Sequence, residues 1–124
     1  DHFAKKAIDN CVELCSGTED KTYLDKLDEA LGRARTEFSP DLIIYNAGTD
    51  ILNGDGLGQM KISPLGVQQR DEVVFEFAKA MKAPIVMLTS GGYQKNNAEI
   101  IADSISNLAS KNLILARNED STDA

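Results

Sequence analysis

The chain has few of the residues from which metal and acid/base sites are usually built. Its 124 residues include one histidine, His2, and two cysteines, Cys11 and Cys15, which are separated by three residues. Two cysteines exclude a disulfide framework and also a structural zinc site made of four thiolates within this chain. We expect two reduced, partly buried thiols, and we expect His2 to lie at the surface.

Positive charge and long apolar runs are also scarce. The formal net charge is −7, from 13 lysines and arginines against 20 aspartates and glutamates. This charge disfavours non-specific contact with the phosphates of nucleic acids, although an acidic surface can still meet a basic peptide. No apolar run reaches membrane-spanning length, and no charged-then-apolar leader opens the chain. We therefore expect a soluble, intracellular protein without direct nucleic-acid or membrane contacts.

Helical and extended patterns alternate along the chain, which predicts an α/β fold. Residues 18–38 have the three- and four-residue apolar spacing of an amphipathic helix. A second helix is predicted to begin at Ser63-Pro64, a capping hydroxyl followed by proline, and a third after Asn96. Apolar runs from residues 42 and 85 predict parallel strands buried on both faces. The helix positions expected to be buried are Leu24, Leu27, Leu31, Ala34, Phe38, Val67, Val74, Phe77, Ala78, Met81, Ile101, Ile105 and Leu108.

Two predicted strands are too few for a stable open sheet. The chain should therefore pair with further strands, either in an oligomer or in a missing half of the same domain. The sequence starts at Asp1 rather than methionine, and its first eight residues show no clear period, which suggests a truncated amino terminus. Residues 1–116 are interpreted as one domain, and the polar, acidic residues 117–124 as a disordered tail.

Each predicted strand ends in a glycine turn that carries one reactive side chain. The turns are Gly48-Thr49-Asp50 and Gly91-Gly92-Tyr93. Because ligands bind at the carboxyl ends of parallel strands, Asp50 and Tyr93 are predicted to face one crevice. A carboxylate can hold a metal ion, and a phenol can donate a hydrogen bond to a developing oxyanion. Metal-assisted amide hydrolysis is the first hypothesis. An aspartate that only caps the next turn, and a tight turn with a half-buried tyrosine, are the structural alternatives.

A glycine-rich loop follows the first of these turns. Residues 54–58, Gly54-Asp55-Gly56-Leu57-Gly58, lack Gly-x-Gly-x-x-Gly spacing, and no helix begins directly after them. The segment is interpreted as a loop at the rim of a pocket, with Asp55 as a turn former and Leu57 on an apolar rim. Two other functions stay open: a phosphate- or nucleotide-binding α/β domain that uses this loop, and a non-enzymatic interaction fragment that pairs its strand edges with another chain.

Three runs of residues at these junctions resemble one family: Tyr45-Asn46-Ala47-Gly48-Thr49-Asp50-Ile51-Leu52-Asn53-Gly54-Asp55-Gly56-Leu57-Gly58, Ile62-Ser63-Pro64 and Thr89-Ser90-Gly91-Gly92-Tyr93-Gln94-Lys95. The resemblance is to the carboxyl-terminal part of class IV histone deacetylases and extends from about Phe3 to Ile105. It implies an α/β domain with a mostly parallel sheet flanked by helices, an arginase/deacetylase-like three-layer sandwich whose amino-terminal part is missing here. It also implies zinc-dependent hydrolysis of acylated lysines on histone tails or other proteins, in the nucleus and cytoplasm.

The resemblance gives roles to a few residues of this sequence. Asp50 matches a zinc ligand, and Tyr93 matches the hydrogen-bond donor to the transition state. Gly91 and Gly92 would let the backbone approach the acyl-lysine channel, and Leu57 would help to form its apolar rim. The family's paired general acid/base histidines and its other two zinc ligands precede the matched region and have no counterpart here. The isolated chain is therefore expected to be inactive.

Overall fold

The computed structural model describes residues 2–115, and in them helices and strands alternate as predicted. The predicted disordered tail, residues 117–124, lies outside the described residues. A short helix at the amino terminus was not predicted from the sequence. The elements are α1 (His2–Lys5), α2 (Asp20–Glu37), β1 (Ile43–Asn46), α3 (Pro64–Met81), β2 (Ile85–Leu88) and α4 (Asn97–Ser110).

The two strands form a parallel sheet, with α3 in the crossover between them. Ile43 pairs with Ile85 and Asn46 with Leu88, so both strands end at the same edge. Alternate residues of each strand are half-buried on the face toward α3. The opposite face was predicted to be buried, but Ile44 is 65% exposed and Val86 is 47% exposed. The described residues leave this apolar face open to solvent.

Helix α3 begins where the sequence predicts. The Ser63 hydroxyl accepts a hydrogen bond from the Gly66 N–H at 3.0 Å, and Pro64 occupies the first turn. Lys82 ends the helix in a left-handed conformation with φ of 54°. The predicted burial is confirmed for Val67, Val74 and Ala78, whereas Phe77 and Met81 are only half-buried.

The predicted buried stripe of α4 is shifted. Ile100, Ser104 and Leu108 are buried, whereas Ile101 is half-buried and Ile105 is 41% exposed. Leu108 was therefore predicted correctly, and the two isoleucines were not. A serine can occupy this stripe because its hydroxyl donates a hydrogen bond to a buried carboxylate of α3.

Helix α2 packs less deeply than its pattern predicts. Among the described residues it contacts α3, and none of its own residues is fully buried. Four of the five predicted positions are half-buried, and Phe38 is 43% exposed. The predicted partial burial of the thiols is also wrong, since Cys11 and Cys15 are both exposed and free.

The main buried cluster lies beneath the loop that follows β1. Leu52, Ile62, Val67 and Ile100 form it, and Leu52 and Ile62 also share a β-bridge. The loop after β1 is thus anchored through Leu52, which packs in this cluster. None of the helices within residues 2–115 is both long and apolar enough to cross a membrane.

Candidate functional site

The two glycine turns lie side by side at the carboxyl edge of the sheet. Hydrogen bonding continues past the strand ends, since the Ala47 N–H donates to the Leu88 carbonyl at 2.8 Å. The Thr49 N–H then donates to the Gly91 carbonyl, also at 2.8 Å. The structure therefore brings the Asp50 turn, residues 48–50, against the Tyr93 turn, residues 91–93.

Glycines make this close approach sterically feasible. A Cβ atom on Gly48 would lie 3.0 Å from Asp50 Oδ1, and one on Gly91 would lie 3.3 Å from Asp50 Oδ2. Gly92 has φ of +106°, and a Cβ there would lie 2.9 Å from the Asp50 backbone nitrogen. A side chain at Gly58 would overlap the Asp50 carbonyl. The Asp50 backbone and carboxylate are thus surrounded by four glycines.

The Asp50 carboxylate itself is exposed and has no hydrogen-bond or ion-pair partner within residues 2–115. It does not cap the following turn, which was the structural alternative for this residue. Its oxygens are therefore available as ligands, and a carboxylate suits zinc. However, the described residues contain no group of three or more His, Cys, Asp and Glu side chains that could hold a metal ion. Asp50 fits one ligand position, and the described chain does not complete the set.

Tyr93 and Leu57 project into solvent. The Tyr93 side chain is 87% exposed and Leu57 is 89% exposed. The described residues form no walls around either side chain, so this part of the chain does not enclose the predicted crevice. Within residues 2–115, Tyr93 is therefore more exposed than the alternative of a tight turn with a half-buried tyrosine predicts.

The rim loop is ordered by its own aspartate. Asp55 Oδ1 accepts hydrogen bonds from the Leu57 N–H at 2.9 Å and the Gly58 N–H at 2.8 Å, as expected of a turn former. These two backbone bonds lower the pKa of Asp55. Gln94 Nε2 donates to the Asn53 carbonyl at 3.4 Å, which joins this loop to the Tyr93 turn.

A buried ion pair that sequence reasoning missed supports the Asp50 turn. Arg70, 4% exposed, donates from Nη1 to the Gly48 carbonyl at 2.5 Å and from Nε to Asp71 Oδ1 at 2.9 Å. Asp71, 3% exposed, also accepts hydrogen bonds from the Tyr45 hydroxyl and the Ser104 hydroxyl, both at 2.6 Å. The network ties β1, α3 and α4 to the backbone two residues before Asp50.

Tyr45 and Arg70 stay protonated in this network, so both can donate hydrogen bonds. Burial raises the pKa of Tyr45, and Asp71 adds to this increase although Arg70 opposes it. Burial alone would lower the pKa of Arg70, but Tyr45 and Asp71 raise it overall.

The sequence does carry a signal for the buried pair of Arg70 and Asp71, because positions 70 and 71 fall on the apolar stripe of α3 between Val67 and Val74.

A second missed residue, Asn97, contacts both turns. Thr49 is 1% exposed, and its hydroxyl donates a hydrogen bond to Asn97 Oδ1. Asn97 Nδ2 donates to the Gly92 carbonyl at 2.9 Å. One amide at the start of α4 therefore connects the residue before Asp50 to the residue before Tyr93.

The two turns lie at the carboxyl ends of parallel strands, which is the edge at which α/β proteins commonly bind ligands. The histone deacetylase domain model matches residues 4–109, and the chain belongs to the histone deacetylase family. Histone deacetylase 2 of Arabidopsis thaliana is 57% identical over 119 residues, which are 96% of this chain and 31% of that protein. Histone deacetylase 1 of Homo sapiens is 29% identical over 84 residues, 68% of this chain and 17% of that protein.

Solved structures confirm the predicted fold class. The acetylpolyamine aminohydrolase of Burkholderia pseudomallei matches with a TM-score of 0.67 and 22% identity, over 80% of this chain and 28% of that one. The HDA15 HD domain matches with a TM-score of 0.60 and 27% identity, over 76% of this chain and 26% of that one. The chain thus spans less than a third of the length of these relatives.

Proposed function

We propose that this chain contributes to the active site of a zinc-dependent lysine deacylase of the class IV histone deacetylase type. The supporting observation is the contact between two turns, one with a free carboxylate and the other with an exposed phenol, in a chain of the histone deacetylase family. The 57% identity to Arabidopsis histone deacetylase 2 over nearly the whole chain supports the histone deacetylase part of this proposal. The proposed reaction is hydrolysis of acyl groups from lysine side chains of histones or other proteins.

Asp50 is the residue of this chain that would hold the metal. Zinc, when bound, polarises a carbonyl and lowers the pKa of a bound water from about 15.7 toward about 7. Gly48 and Gly91 leave the space around the carboxylate open, and the Arg70 bond to the Gly48 carbonyl fixes the turn that carries it. The remaining ligands and the general acid/base groups have no counterpart in residues 1–124, so they would come from another part of the same domain.

Tyr93 is proposed to donate its hydroxyl proton in a hydrogen bond to the substrate carbonyl oxygen as negative charge develops there. Gly91 and Gly92 present bare backbone beside it, and Leu57 offers an apolar surface for the alkyl part of an acyl-lysine. The net charge of −7 suits a basic peptide such as a histone tail better than nucleic acid. We propose a nuclear and cytoplasmic location, as the family resemblance implies.

The phosphate-binding alternative is disfavoured by the rim loop. A phosphate in residues 54–58 would need the backbone N–H groups that point into the loop. The Leu57 and Gly58 N–H groups already donate to the Asp55 carboxylate. A second anion at this point would be repelled by that carboxylate.

The test uses a hybrid domain, defined as Arabidopsis histone deacetylase 2 in which the aligned segment is replaced by the matching residues of this chain. We expect the hybrid domain to release acetate and myristate from acyl-lysine peptides, and a chelator to abolish this activity. The unmodified Arabidopsis protein is the control for the assay. Equal turnover by the hybrid domain and by its Asp50→Asn variant would contradict the proposal.

A further inference from the structure

Asn97 uses both halves of its side-chain amide to join the two turns of the site. Its Oδ1 accepts the Thr49 hydroxyl, and its Nδ2 donates to the Gly92 carbonyl at 2.9 Å. We propose that Asn97 is a positioning residue that holds Tyr93 in register with Asp50. This inference rests on the proposed function, because it assigns Asn97 an effect on hydrolysis that acts through the Tyr93 hydroxyl.

The capping of α4 does not explain this arrangement. Asn96 is the residue at the N-cap position, and its side chain makes no capping bond. The Asn97 backbone N–H donates to the Gln94 carbonyl at 3.0 Å, which leaves the amide side chain free to reach the two turns. The side-chain bonds of Asn97 are therefore directed to the site rather than to the helix end.

The two turns depend on Asn97 to different degrees. The Asp50 turn is also held by the Arg70 bond to the Gly48 carbonyl and by the bond from the Leu52 N–H to the Thr49 carbonyl at 3.1 Å. The Tyr93 side chain is exposed, so its placement depends on the backbone before it. That backbone is held by Thr49 at Gly91 and by Asn97 at Gly92. Loss of the Asn97 amide should therefore displace Tyr93 more than Asp50.

The expected effect is on turnover rather than on metal or substrate binding. A displacement of about 1 Å in a reacting group can reduce a rate by about 100-fold. For Asn97→Ala in the hybrid domain we expect kcat to fall by about tenfold to 100-fold. We expect the zinc content and KM to stay near those of the parent. Asn96→Ala, at the neighbouring exposed asparagine, is the matched control and should leave kcat unchanged.

A double variant separates positioning from a general structural role. If Asn97 acts through Tyr93, Asn97→Ala should lower kcat in the parent but have little further effect in the Tyr93→Phe background. A merely structural role would give the same fold loss in both backgrounds and would overturn the proposal. Thr49→Val keeps the shape of the side chain but removes the hydroxyl that donates to Asn97 Oδ1 and, at 3.4 Å, to the Gly91 carbonyl. It should lower kcat in the same way, whereas Thr49→Ser should retain activity.

The outcomes distinguish this inference from the proposed function. An unchanged kcat in Tyr93→Phe would contradict the role of Tyr93 in the proposed function and would overturn the inference with it. A large loss in Tyr93→Phe together with unchanged kcat in both Asn97→Ala and Thr49→Val would overturn the inference alone. Thermal unfolding of each variant identifies a loss of kcat that comes from misfolding, and Thr49→Val then provides the decisive comparison if Asn97→Ala does not fold.

Discussion

Replacing Asp71 with alanine should destabilise the protein severely, because Asp71 is the centre of the buried network. Asp71 is 3% exposed, and its carboxylate accepts hydrogen bonds from Tyr45, Ser104 and Arg70. Asp71→Ala leaves the 4%-exposed Arg70 guanidinium without its counter-charge, which costs about 3–5 kcal/mol. Two hydroxyls also lose their acceptor, at about 1 kcal/mol each or more.

These losses share one partner and do not simply add. We therefore expect Asp71→Ala to lower the free energy of unfolding by about 4–5 kcal/mol, a large part of the roughly 5–15 kcal/mol typical of a domain. Asp71→Asn keeps an oxygen acceptor for the hydroxyls but removes the charge opposite Arg70. Its free energy of unfolding should therefore lie between those of Asp71→Ala and the parent.

Urea unfolding of the hybrid domain measures these differences. The matched control is Asp25→Ala, which breaks an exposed ion pair with Lys21 on α2. Such surface pairs contribute at most about 1 kcal/mol, so the control should unfold near the parent midpoint. If Asp71→Ala were no less stable than Asp25→Ala, the buried network would not support the turn as described here.

Three further outcomes are expected. Burial raises the pKa of Tyr45 above its ordinary value of 10.0, so the contribution of the neutral phenol to stability is complete below about pH 10 and decreases above that pH. Urea unfolding at a series of pH values should show a smaller decrease above about pH 10 for Tyr45→Phe than for the parent. Tyr93→Phe should keep zinc while kcat falls by about 100- to 1,000-fold, and an unchanged kcat in peptide assays would exclude the proposed hydrogen bond. Residues 1–124 alone should be inactive and self-associating, since Ile44 and Val86 expose an apolar sheet face; chelator-sensitive turnover by a monodisperse monomer would contradict this expectation.

Local signals in the sequence predicted much of the fold. Ser63 and Pro64 place the start of α3 correctly because capping depends on adjacent residues. The pattern predicted that Ile105 is buried, but Ser104 is buried instead, because its hydroxyl donates a hydrogen bond to Asp71 across the interface of α3 and α4. Such a tertiary partner cannot be inferred from the sequence of α4 alone. The exposed face at Ile44 has a related cause, because the pattern predicts an apolar surface but does not supply the element that covers it.

The candidate site was predicted in part for similar reasons. Asp50 and Tyr93 follow apolar runs directly, so parallel strand topology predicts that they lie at one edge. Arg70 and Asn97 lie on helices, where polar residues usually face solvent, and their contacts with Gly48 and Gly92 depend on how those helices pack. The position of Arg70 on the apolar stripe of α3 was the one local indication of a buried role.

The zinc content of the hybrid domain tests the central claim most directly. Elemental analysis should find about one zinc ion per molecule in the parent, and Asp50→Asn should lose most of it, because the amide is a weaker ligand than the carboxylate. Asp55→Asn is the matched control in the neighbouring loop. Its carboxylate already accepts two backbone N–H groups, so its replacement should leave the zinc content unchanged. Normal zinc content in Asp50→Asn would contradict the assignment of Asp50 as a metal ligand.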